Sequence, residues 1–252
     1  MTDAVTAHTP DPDRSVYGSR SLPLRDAVWL VALVFVVTLL ASLGIRAVSS
    51  RGWGDTAVTL AAAGLLTLGY LVELALVRAV TISQGLPLAE TLGLVAPRGP
   101  ARAWVALAIG GALAARAFAA VYGLVVDKIG VRLPGAGSDP FSVFPGGAIS
   151  AIVMLVILVL VAPFAEELVF RGVLLPALGA RWGTVAGVVV SSAVFAAIHV
   201  SVYLLLPIFI AAAVFGVLAI RFRSLWPSFV AHATFNGVAA IAVLFLRGRG
   251  IV

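Results

Sequence analysis

Long apolar runs alternate with short polar breaks along this chain, and the runs have the length of membrane spans. Crossing the hydrocarbon of a bilayer takes about 20 mostly apolar residues in a helix. Seven segments reach or approach that length: 27–45, 56–77, 103–126, 146–178, 184–200, 204–220 and 226–246. The division between the fifth and sixth is the weakest, because only the uncharged stretch SVY at 201–203 separates them. The fourth is long enough to be a tilted span that continues past an acidic pair. Backbone polar groups have no water to bond in lipid, so such runs must be helices. The pattern therefore predicts an all-α membrane protein, a polytopic bundle of about seven transmembrane helices, with six and eight as its bounds.

Composition strengthens this reading. The chain is 62% hydrophobic and 11% charged, against about 25% charged in a soluble domain, and its mean hydropathy is +1.12. With no cysteine, disulfides, thiolate metal ligands and a cysteine nucleophile are excluded. The net charge of +6 comes from arginines scattered between the apolar runs, which fits the charge rule of membrane proteins and argues against nucleic acid as a partner. The first 25 residues are polar (HTPDPDRSVYGSR) and lack the apolar core and cleavage site of a secretory signal. They read as a disordered cytoplasmic tail, 1–25, ahead of a single transmembrane domain at 26–249. With the N-terminus inside, ten basic residues fall on the inner side and six on the outer, a bias that favours a cytoplasmic N-terminus. The loop at 127–145 is rich in Gly and Pro and reads as irregular. The loop at 79–102 contains LPLAETLGL, either a short amphipathic piece on the inner surface or an ordinary connector.

Against this background a few polar residues stand out. Ionisable side chains within spans usually face the bundle interior or a wet cavity. Here they are Glu73, Arg116, Glu166, Glu167, Arg171, His199 and His232, joined by Asn236. Glu167 and Arg171 are four residues apart, on one helix face, and can pair. Glu166 precedes Glu167 by about 100° of helical rotation and points elsewhere. His232 and Asn236 share a face at the same interval, and so do Phe195 and His199. Glu73 lies close to Arg78 and reads as a residue at the membrane border.

The fourth and fifth segments form a hairpin turning near Trp182–Gly183, with Glu166 and His199 each 16 residues from the bend. Both then lie roughly 24 Å along their helices, at matching height. His232 and Asn236 come about 12–18 Å in from the last turn, near Arg223–Ser224, so tilt can bring all four to one buried pocket. A carboxylate and an imidazole sharing a water can act as a general base. The same residue types ligate zinc, which lowers the pKa of bound water to about 7. A His and an Asn on the facing helix can donate to the oxyanion of a tetrahedral intermediate. Arg116, about 21 Å into its span, either neutralises one acid of the pair or faces water as a snorkelling arginine. The spacing alone also admits structural pairs, interhelical polar glue, or a proton or ion path.

The motifs EELVFR, FAAIH and HATFN have the forms EExxxR, FxxxH and HxxxN, in that order. Over about residues 145–240 the sequence resembles the CPBP family of intramembrane proteases. This is also called the Abi or CAAX-protease and bacteriocin-processing family, and it includes the CAAX prenyl endopeptidases of eukaryotes. The resemblance implies a catalytic core at 145–240 in which Glu166 and His199 activate water and His232 and Asn236 stabilise the oxyanion. It implies that Glu167 and Arg171 form a supporting pair. The family is generally described as metalloproteases, so if zinc binds, Glu166, His199 and His232 are its candidate ligands. HExxH and GxSG are absent, which sets the chain apart from two other intramembrane protease types. The implied partner is a membrane-associated protein or peptide presented in or at the lipid bilayer. Residue usage and short loops look bacterial, so the expected location is a bacterial plasma membrane, with peptide maturation or bacteriocin self-immunity as its setting. The alternative is a non-hydrolytic transporter, ion path or immunity scaffold built on the same polar cluster.

Overall fold

A computed structural model describes residue 17 and residues 20–135 and 148–248. The rest of the expected tail and the distal part of the 127–145 loop lie outside the described residues. The chain is an all-α integral membrane protein. Its helices are α1 (Leu24–Ser49), α2 (Asp55–Ser83), the single turn α3 (Leu88–Thr91), α4 (Ala101–Ile129), α5 (Ala148–Trp182), α6 (Thr184–Ala197), α7 (Val202–Phe222) and α8 (Trp226–Gly248). Six of these are long and apolar enough to cross a membrane: α1, α2, α4, α5, α7 and α8.

The fifth expected span is shorter than its hydropathy suggests. α6 has 14 residues, about 21 Å of rise, less than the ~30 Å of a hydrocarbon core. It ends two residues before His199, and the chain turns back through Val200, whose φ of 51° is unusual for a β-branched residue. Ser201 then caps α7 by accepting from the Leu204 N–H. The break falls at the weak division expected near 201–203, where the apolar Ile198, Val200 and Val202 leave little hydropathic signal.

Helices α4, α7 and α8 form one packed group. Ala108, Ala112 and Ala115 of α4 are buried against Ala211, Phe215 and Leu218 of α7, the small-residue contact by which membrane helices approach closely. A second group joins α1 and the α3 region to the C-terminal half of α5, through Leu30, Leu92, Phe170 and Leu174. The α5–α6 hairpin is tighter still. A Cβ on Gly187 would stand 3.0 Å from the Gly179 nitrogen and 3.2 Å from the Leu175 carbonyl, so only glycine lets the two backbones touch. Thr59 of α2 and Ser150 of α5 share a buried 2.7 Å hydrogen bond.

Helix α5 is not a uniform α-helix. Residues Val156–Val161 and Leu168–Leu174 are wound as π-helix, and a proline follows each: Pro163 and Pro176. The Ala162 N–H bonds the Ile157 carbonyl, and the Leu175 N–H bonds the Phe170 carbonyl, both five residues back. The next N–H in each series belongs to a proline and does not exist. Leu158 and Arg171 are therefore left with carbonyls that have no helical partner, and unpaired buried carbonyls are costly. Side chains from elsewhere supply the missing donors. Asn236 donates to Leu158 at 2.9 Å, and the Tyr17 hydroxyl donates to Arg171 at 2.7 Å.

Tyr17 comes from the stretch read as a disordered tail, yet it is buried, as is Leu22. Its ring lies against Gly93, whose φ is +70° and where any Cβ would fall within 2.7 Å of the ring. Burial, with Glu167 nearby, pushes the phenol well above its usual range, so it remains a neutral donor.

Candidate active site

The two π stretches bracket the acidic pair, which sits on the α-helical turn Ala162–Glu167 between them. From there Glu167 points into the protein. It is 0% exposed, and Arg171 is 1% exposed. Arg171 donates from one terminal nitrogen to Glu167 Oε1 at 2.8 Å and from the other to the Ala212 carbonyl at 2.8 Å. Its guanidinium also lies 4.8 Å from the Phe195 ring centroid, while its Nε–H has no hydrogen-bond partner among the described residues. The expected pair is present, and it has more members than spacing alone indicated. Ser228 donates its hydroxyl to Glu167 Oε2, and His232 Nδ1 lies 2.9 Å from Oε1. An ionised carboxylate only accepts, so the proton on His232 is at Nδ1. Ser228 escaped the sequence reading, although it lies one helical turn before His232 on the same face.

With Nδ1 held, His232 turns Nε2 toward the other acid, 3.7 Å from Glu166 Oε2. The ring is 3% exposed and stacks at 4.8 Å on Phe215. His199 is arranged in a parallel way from α6. Its Nδ1 is 2.7 Å from the Phe195 carbonyl, which can only accept, so its Nε2 lone pair is the free one. Its ring packs 4.9 Å from Phe195, as the four-residue interval predicts.

Glu166, His199, His232 and Asn236 all line one cavity of about 330 Å³. The convergence inferred from depth is thus the arrangement found. Two expectations change in detail. Among the described hydrogen bonds none joins Glu166 to His199, and the nearest ion-pair partner of Glu166 is His232. Asn236 spends one amide proton on Leu158, leaving its second N–H and its carbonyl oxygen for the cavity.

Arg116 also lines this cavity, but it meets neither acid. Its Nε and one terminal nitrogen donate to the Phe235 carbonyl at 3.1 and 2.6 Å. Its guanidinium lies 3.5 Å over the Phe235 ring. The proposed neutralisation of the acidic pair is replaced by an anchor on α8. Glu73 departs further from expectation. It is 3% exposed, not a border residue, and it accepts from Thr38 at 3.2 Å. Counting from Arg78 gave its depth but not the rotation that turns it inward.

The metal expectation can be tested on the donor set. Among the described residues, no group of three or more His, Asp or Glu side chains is placed to hold a metal ion. Both site histidines do hold Nδ1 on an acceptor and leave Nε2 open, but that arrangement serves a general base equally.

Chemically, the cavity sets one carboxylate and two imidazole Nε2 atoms around a common space, with an amide and a guanidinium on its wall. The scaffold behind it, Glu167–Arg171–Ser228, fixes one imidazole and carries the buried charge. No curated protein and no solved structure is a significant match to the chain. Residues 148–238 match the family described as type II CAAX prenyl endopeptidase Rce1-like, and this stretch contains Glu166, Glu167, Arg171, His199, His232 and Asn236. It is over residues 148–238 that the chain resembles the Rce1-like family of type II CAAX prenyl endopeptidases.

Proposed function

We propose that the protein hydrolyses a peptide bond of a membrane-associated protein or peptide, using a water held between Glu166, His199 and His232. The observation that carries this is the 3.7 Å separation of Glu166 Oε2 from His232 Nε2. It exceeds a direct hydrogen bond and suits groups that share a third partner. Glu166 takes a proton from the water, and the lone pair on His199 Nε2 orients the other O–H. The hydroxide adds to the carbonyl carbon. The second N–H of Asn236 donates to the oxyanion, and His232 does so too once it has taken a second proton from solvent on Nε2, an imidazolium that Glu167 stabilises through Nδ1. Glu166 then returns its proton to the leaving nitrogen as the C–N bond breaks.

Each of these steps belongs to the chain's own side chains. The family resemblance implies zinc on Glu166, His199 and His232 as the competing account, against the lack of a metal-holding group among the described side chains, and the metal content of active protein decides between them. The direct test is cleavage of a quenched peptide library by detergent-purified protein. Wild type is expected to cleave, and Glu166→Gln and His199→Ala are not. Retained cleavage in both variants would exclude this site. Absence of cleavage by wild type, with a cellular phenotype that survives Glu166→Ala, would favour a transporter or immunity scaffold instead.

A further inference from the structure

A second cavity, of about 220 Å³, lies on the far side of the catalytic wall. Tyr70, Glu166 and His199 line both cavities. The second is otherwise formed by Thr38 and Glu73, with Val34, Val169, Phe170 and Ile198. Its polar centre is the Glu73 carboxyl, 3% exposed. Thr38 supplies a single hydroxyl to it at 3.2 Å, and that hydroxyl also reaches the Val34 carbonyl at 3.0 Å. One proton thus serves two acceptors. Among the described residues no Lys, Arg or His side chain pairs with Glu73.

A buried carboxylate with four acceptor sites and a fraction of one donor is far from satisfied. Its surroundings match the shape of a long basic side chain. Val34, Val169 and Ile198 suit a methylene stem, and the Tyr70 and Phe170 rings suit a cationic head near the carboxylate. Segments that emerge from a membrane are rich in Lys and Arg on one side, so the substrates of an intramembrane endopeptidase carry such side chains close to their spans.

We propose that this cavity is a specificity subsite for a lysine or arginine side chain of the substrate, read by Glu73. The side chain would enter on one side of the bond that Glu166 and His199 address. The inference rests on the endopeptidase reading and names the residue class that such a substrate presents.

The test uses pairs of quenched peptides, identical except for Lys or Gln at each position flanking the cleaved bond. Cleavage by wild type is compared with Glu73→Gln and Glu73→Asp, and binding to Glu166→Gln protein is followed by fluorescence anisotropy. At one position wild type should favour Lys by about ten- to a hundredfold in kcat/KM, mostly through KM. That ratio should fall toward one in Glu73→Gln and persist in part in Glu73→Asp. Equal cleavage of the Lys and Gln peptides by wild type overturns the subsite, and so does a ratio unchanged in Glu73→Gln. Should Glu73→Gln not accumulate as folded protein, the wild-type ratio and Glu73→Asp still decide. Preferential binding of Lys peptides without any cleavage upholds the subsite and removes the proteolytic reading. Cleavage without preference does the reverse.

Discussion

The side-chain amide of Asn236 donates a 2.9 Å hydrogen bond to the main-chain carbonyl of Leu158, which Pro163 leaves without a helical partner. One residue therefore closes a gap in α5 and presents its remaining N–H to the catalytic cavity. The two tasks separate by experiment. Asn236→Ala should lower unfolding stability by about 1–3 kcal/mol, the cost of an orphaned buried carbonyl. It should also lower kcat by about a hundredfold with little change in KM, the behaviour of an oxyanion donor. A stability loss with kcat unchanged would assign Asn236 to the clamp alone.

Removing Glu167 should be more damaging to the fold than removing Glu166. Glu167→Gln leaves Arg171, 1% exposed, without its counter-charge, and breaking a buried pair in this way costs about 3–5 kcal/mol. Glu166 has only the longer 3.7 Å contact with His232, so Glu166→Gln should keep its melting temperature within a few degrees while cleavage falls by about a hundredfold or more. Thermal unfolding and turnover measured on the same preparations check both statements. A double change of Glu167 and Arg171 to leucine should recover part of the lost stability, because no lone charge remains.

Ser228→Ala tests whether the second oxygen of Glu167 matters. The hydroxyl donates to Oε2, so its loss should cost about 1–2 kcal/mol. Activity should fall less than in His232→Ala, since Ser228 does not line the 330 Å³ cavity. Equal losses in the two variants would mean that Ser228 controls His232 more directly than the geometry indicates.

At the N-terminus, Tyr17→Phe removes only the donor to the Arg171 carbonyl and should destabilise by about 1–2 kcal/mol. Gly93→Ala should be worse, because it adds a methyl where the Tyr17 ring already stands and strains a backbone at φ +70°. Deleting residues 1–20 should cost more than Tyr17→Phe, because the buried ring is lost with the hydroxyl. If that deletion leaves the melting curve unmoved, Tyr17 is not a support for α5.

Much of the site could be read before any coordinates. Glu167 and Arg171 declare themselves through their four-residue interval, and Glu166 and His199 through equal distance from the Gly183 turn. Rotation about a helix axis is harder to read in a run that is apolar on every side. For that reason Glu73 looked peripheral, and the role of His232 as the link between Glu166 and Glu167 was not visible. The winding of α5 was hidden for a related reason: in VILVLVAPF a period of 3.6 and a wider one bury equally apolar residues. Pro163 and Pro176 were the available signal, since each cancels an N–H inside a span and asks where the freed carbonyl goes. The end of α6 left only a faint trace, the uncharged SVY at 201–203.

The π stretches of α5 also set its register. Each stores one residue more than an α-helix of the same height. Were Val156–Val161 wound as regular α-helix with every residue kept, α5 would have the same hydrophobicity and nearly the same span. The acidic pair beyond it would swing by about 100°, carrying Glu166 away from His232 and Glu167 out of reach of Ser228. A hydropathy plot would be identical, yet two carboxylates would turn away from the cavity. The winding of this one helix is therefore as much a part of the active site as the glutamates it aims.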